Sequence, residues 1–203
     1  MCKSHRDSVK TFIVQDLTVS IVYDTDCPGP REWDNLGRMI CTHRHYNLGD
    51  EQIKTEDFSS WARVEASLNA HISLPLYLYD HRGITISTMP FNDHWDSGQV
   101  GWVYVTADDL RKEFGVQHIT PEIEEKARGI LIGEVEDYDQ YLRGDVYGYI
   151  IEDSDGNHVD SCYGFYGLDD VIEQAKECAA RVAQSLEESR TEILTVKEEN
   201  SNA

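Results

Sequence analysis

QVGWVYVT, residues 99–106, is the stretch on which the fold class turns. Val, Trp and Tyr dominate it, and these residue types suit a pleated, buried surface. Alternation places Val100, Trp102, Tyr104 and Thr106 on one face and Val103 and Val105 on the other, so a central strand is expected. A helix start follows at once. Thr106 supplies the cap, Ala107 the first helical position and Asp109 the acid of a capping box, and Gly115 marks the stop.

Upstream, LPLYLYDHRGITIS at 74–87 predicts two strands around a His81-Arg82-Gly83 turn, and TMPFNDHWDSG at 88–98 an irregular loop. TFIVQDLTVSIVY at 11–23 is rich in β-branched residues and reads as a strand or a strand pair split near Gln15-Asp16. DTDCPGP at 24–30 is a loop. Trp33, Leu36, Met39 and Ile40 share a helical face, which predicts a short helix over 32–40. CTHRHYNLGDEQ at 41–52 belongs to a loop or strand edge, and Phe58, Trp61, Val64 and Leu68 predict a helix over 57–68.

Downstream, Thr120 and Pro121 open a helix that continues towards Leu142, although Gly129 and Gly133 weaken a single unbroken element. Asp155-Gly156 is the strongest hairpin signal in the chain. A final helix from Leu168 to about Glu188 carries Ile172, Ala175, Ala179, Val182 and Leu186 on one stripe. The expected fold is therefore α+β, with a mixed or mainly antiparallel sheet and helices packed on it. Residues 1–188 are expected to form one domain and residues 189–203 a flexible polar tail; a division near residue 106 is the alternative.

Charge bounds the function. The 203 residues hold 38 acids against 18 bases, a net −20, and 107–203 hold 24 of the acids. Such a field repels nucleic acid and anionic membranes and attracts a basic partner. Five cysteines without a CxxC pair read as reduced thiols of a reducing compartment. No signal-peptide core or membrane span is present in the sequence, and the expected location is the cytoplasm.

Chemistry-bearing residues fall into three groups. His43 and His45, with Cys41, alternate as metal ligands would along an extended segment, but two or three donors do not close a site. Asp80, His81, Asp93, His94 and Asp96 sit in two loops that would form a cleft if neighbouring strands bring them together. An Asp beside a His can act as base and orienting group in a small metal-dependent hydrolase. Turns also favour these residue types, and no nucleophile elbow, phosphate loop or EF-hand spacing is present. No cofactor is expected. The third group is acidic: Glu134, Glu136, Asp137, Asp139, Asp145, Asp153 and Asp155, with Tyr138 and Tyr141 as aromatic contacts if exposed.

THRHYNLGDE at 42–51, LPLYLYDHRGITIS, DSGQVGWVYVT at 96–106, VEDYDQYLRGDVYGYIIED at 135–153 and SCYGFYG at 161–167 resemble an uncharacterised protein family of bacteriophages and mobile elements. The resemblance implies action inside a bacterial host cell and supplies no reaction. The leading expectation is a non-enzymatic phage accessory protein whose acidic residues bind a basic surface of a host defence or nucleic-acid-processing protein, as an inhibitor that mimics DNA. The hydrolase, and a structural protein with a solvated acidic surface, are the alternatives.

Overall fold

A computed structural model of the chain describes residues 8–53, 60–93 and 95–201, with side chains followed to residue 188. In chain order the elements are β1 (Ser8–Val14), β2 (Leu17–Tyr23), a 3-10 turn (Pro30–Glu32), β3 (Arg38–Cys41), β4 (Glu51–Gln52), α1 (Trp61–Ser67), β5 (Ile72–Asp80), β6 (Ile84–Ser87), β7 (Ser97–Val105), α2 (Ala107–Phe114), α3 (Pro121–Arg143), β8 (Val146–Glu152), β9 (His158–Tyr166) and α4 (Leu168–Ser201). The fold is α+β, and every strand pairing is antiparallel except β3 with β4.

The chain forms two compact units rather than one domain or two halves split at residue 106. The first combines residues 1–27 with 144–203, and the second is residues 28–143. This discontinuity arises because β2 pairs with β8, a strand more than a hundred residues away. Turn chemistry and periodicity act locally, so they do not report such a pairing.

In the first unit the sheet order is β1-β2-β8-β9. Gln15 takes the left-handed conformation that closes the β1–β2 turn, φ 54°. Asp153 organises the β8–β9 turn by accepting hydrogen bonds from the backbone N–H groups of Asp155 and Asn157, while Gly156 supplies a positive φ. Val171, Ala175 and Ala179 of α4 pack on Val19, Ile21 and Ile151. The buried stripe is rotated from the expected one: Cys178 and Ala183 join it, and Leu186 is exposed. The helix runs on to Ser201, where a polar tail was expected from 189.

In the second unit the sheet order is β4-β3-β7-β5-β6, with β7 central as its composition predicts. One apolar cluster joins Met39, Leu76, Val103 and Val105 to Leu131 and Val135 of α3; another joins Trp102, Tyr104 and Leu68 to Trp61 and Val64 of α1. Val100 belongs with Val103 rather than Trp102, because Leu76 pairs with Gly101 and Tyr77 with Gln99, leaving Val100 as a bulge. Helix α3 is unbroken through Gly129 and Gly133. Each glycine costs about 1 kcal/mol of propensity, and the buried face of Ala127, Leu131, Val135 and Tyr138 offsets this.

The helix expected over 32–40 does not form: Arg38–Cys41 enter the sheet, with Met39 opposite Val103 and Ile40 opposite Trp102. The apolar spacing there fits two periods, and pairing with β7 decides between them. The helix expected over 57–68 begins at Trp61, capped by Ser60; residues 57–59 lie outside the described residues.

Gly101 of β7 leaves no room for a side chain against β3, since a Cβ there would collide with the Ile40 carbonyl oxygen and press on the Cys41 thiol. Gly101→Ala is expected to lower stability by about 1–3 kcal/mol, read as a shifted urea midpoint. An unchanged midpoint would show that β3 can move away freely.

Candidate functional site

Arg31 organises the second unit below its surface. Its guanidinium forks onto Asp50, with Nε to Oδ1 at 3.0 Å and Nη2 to Oδ2 at 2.6 Å, and also donates to the Gly37 carbonyl at 2.7 Å. Glu134 of α3 accepts from the N–H groups of Leu36 (2.7 Å) and Gly37 (3.0 Å) and faces Arg31 at 3.5 Å. Asp50 in turn accepts from Met39 N–H, and the Tyr138 hydroxyl accepts from Gly49 N–H. Together these bonds tie the segments before and after β3 to α3, and the His-rich loop is strung between those anchored points.

That loop forms one wall of an open cleft of about 660 Å³, which lies wholly within the second unit. Thr42, His43, Arg44 and His45 come from the loop, Trp61 from α1, and Asp80 from the end of β5. Trp95, Asp96 and Gln99 complete it from the β7 side. Asp80 and Asp96 stand opposite one another: Tyr79 pairs with Ser97, and Asp80 N–H donates to the Asp96 carbonyl at 2.8 Å. Asp80 also accepts a 3.3 Å bond from the Tyr46 hydroxyl, and Asp96 makes a 2.8 Å bond with His81 Nδ1. Trp95 is 96% exposed.

The two His/Asp groups of the sequence therefore meet in part. His43, His45, Asp80 and Asp96 line one cleft. His81 reaches it only through Asp96, and stacks on Tyr79 at 6.0 Å. Asp93 serves the loop, accepting from the N–H groups of Trp95 and Asp96. His94 lies outside the described residues. The His81–Asp96 pair has a base and an orienting acid, but its described hydrogen bonds include no hydroxyl or thiol nucleophile.

Among the described residues, no three His, Cys, Asp or Glu side chains converge as metal ligands. Cys41 does not line the cleft with His43 and His45; it is buried, and burial with the nearby Asp50 pushes its thiol up to about 12. It is therefore a protonated core group. His43 stacks on Tyr46 with ring centroids 4.9 Å apart, and its Nδ1 accepts from His45 N–H at 3.3 Å. Burial lowers its pKa below 6.5, with His45 and Arg44 acting in the same direction and Asp80 opposing them.

The acidic group disperses. Glu134, Glu136, Asp137 and Asp139 belong to the second unit, and Asp145, Asp153 and Asp155 to the first. Asp139 accepts from Ile86 N–H at 2.8 Å and pairs with Arg143 at 3.2 Å. Glu134 anchors β3, Asp153 orders its turn and Asp145 accepts from the Tyr147 hydroxyl at 3.3 Å, so four of the seven work inside their units. Glu136 and Asp155 are exposed. Tyr138 is a core residue at 6% exposure, so it is no surface contact, whereas Tyr141 is exposed. Sequence reading missed Trp95 and Gln99 as site residues, although the density of polar and aromatic residues at 91–99 hinted at them, and it took Trp61 only as part of a helix face.

Comparison of the chain with family models, curated proteins and solved structures finds no match.

Two outcomes check this geometry. Between pH 6.5 and the lower folded-state pKa of His43, the unfolded chain takes up a proton that the folded chain does not, so stability falls as pH falls through that window. The His43 ring should titrate below 6.5 by NMR, and His43→Gln should flatten the acid loss of thermal stability; a midpoint above 6.5 contradicts the assignment. Alkylation of native protein with peptide mapping should label exposed Cys162 and spare Cys41.

Proposed function

We propose that the chain is a non-enzymatic accessory protein, of phage or mobile-element origin, that binds a basic surface on a host protein. One observation carries this reading: both units are strongly acidic. The first holds 18 acids and 7 bases, and the second 20 acids and 11 bases. Pairing within the second unit reduces its available cations further. Arg31, Arg38, Arg111 and Arg143 each face a carboxylate of the same unit.

The surplus is solvated. Asp169, Asp170, Glu173 and Glu177 are exposed on the first turns of α4, and Glu122, Glu125 and Glu136 on α3. No helix among the described residues is long and apolar enough to cross a membrane. A field of this sign accelerates encounter with a basic protein and disfavours nucleic acid. The reading needs only a positive target. It does not need the spacing of a DNA duplex, for which four of the expected carboxylates are already engaged.

Capture from bacterial lysate should retain a specific partner at about 0.1 M salt and release it near 1 M, where the screening length falls from about 10 Å to about 3 Å. Neutralising Asp169, Asp170, Glu173 and Glu177 together should slow association by about tenfold. A partner held equally at both salt concentrations, or no partner at low salt, defeats the proposal.

A further inference from the structure

The cleft of the second unit has a chemistry of its own. Two carboxylates line it where β5 ends and β7 begins: Asp80 closes β5, Asp96 immediately precedes β7, and the Asp80 N–H donates to the Asp96 carbonyl at 2.8 Å. Two like charges on neighbouring residues favour a cation between them. Each receives one described side-chain hydrogen bond, Asp80 from Tyr46 and Asp96 from His81. An ionised carboxylate has about four acceptor sites, so both retain capacity towards the cavity. Against them, Arg44 is the permanent cation of the lining, and it is exposed at the rim.

Aromatic surface completes the setting. The Trp61 and Trp95 indoles line the same cavity, and Trp95 holds 96% of its surface in solvent while its backbone is fixed by the Asp93 turn. An exposed indole beside two carboxylates suits a planar cation: guanidinium stacks on an aromatic face and donates in a fork to carboxylate oxygens. An anion would meet Asp80 and Asp96 within a chain of net charge −20. A purely apolar ligand would desolvate both carboxylates and supply neither with a donor.

We propose that this cleft receives an arginine side chain from a basic peptide segment, with Asp80 and Asp96 accepting from the guanidinium and Trp95 stacking on it. The inference rests on the basic-partner reading above and assigns that partner's point of entry. His43, neutral at pH 7, adds no opposing charge to the wall, and Gln99 offers an amide to the peptide backbone.

The test uses the full chain and an acetylated, amidated tri-arginine peptide, titrated by calorimetry alongside tri-citrulline and tri-lysine versions. Wild type should bind tri-arginine, and tri-citrulline, close in shape but uncharged, should not bind. Asp80→Asn, Asp96→Asn and Trp95→Ala should each weaken tri-arginine by about tenfold or more, while neutralising Asp170 and Glu173 on α4 should change it less than about twofold. Trp95→Ala keeps the test decisive if an Asn variant folds poorly, because the ring lies outside the core. Equal affinity across the cleft variants, binding of tri-citrulline, equal binding of tri-lysine, or no binding by wild type each overturns the arginine site. Salt-sensitive capture of a host protein is measured separately, so the broader reading can survive that result or fail without it.

Discussion

A guanidinium with only 9% of its side chain exposed is the constraint on which the second unit depends. Arg31 carries five donors and cannot shed its charge, so burial obliges the surrounding chain to supply acceptors. Asp50, Glu134 and the Gly37 carbonyl do so, drawing three separate segments together. Removing one member of such a cluster leaves a buried charge without its counterpart, a loss of about 3–5 kcal/mol. The short β3 strand is held by these bonds at both of its approaches, as well as by its pairing with β7.

The cleft is a consequence of that anchoring. With Gly49 and Asp50 tied to Tyr138 and Arg31, residues 42–46 span the end of the sheet beside Asp80 and Asp96. The β5–β6 hairpin and the Asp93 turn bring in the other wall. Polar groups that look like ordinary turn residues thus face a common space. Acidity is a separate property: it is shared by both units, and much of it on α3 serves packing as well as solubility. Asp139 satisfies an N–H of β6, and Glu134 two N–H groups leading into β3.

Much of this was legible from residue order. Thr106 caps α2, accepting from Asp109 N–H, and Gly115 ends that helix with φ 62°. The β5–β6 and β8–β9 hairpins form where Arg82-Gly83 and Asp155-Gly156 place turn residues. These features depend on interactions within a few residues, and so they survive in the one-dimensional pattern. Over 32–40 the same approach failed, because Trp33, Leu36, Met39 and Ile40 fit a helical face and a strand edge alike. Val100 was misplaced for a related reason, since a bulge reverses alternation without changing composition.

The sequence by itself determined that the chain is α+β, that β7 is central, and that its net charge is strongly negative, since propensity, periodicity and net charge are properties of residues in order. Tertiary structure alone decided that residues 28–143 form a unit within the chain, that the acidic second half is divided, and which carboxylates face solvent. It also decided that Asp80 and Asp96 stand together in a cleft with Trp61 and Trp95. Those outcomes depend on strand pairing between distant segments and on where a buried arginine finds its acceptors, and neither leaves a local mark in the order of residues.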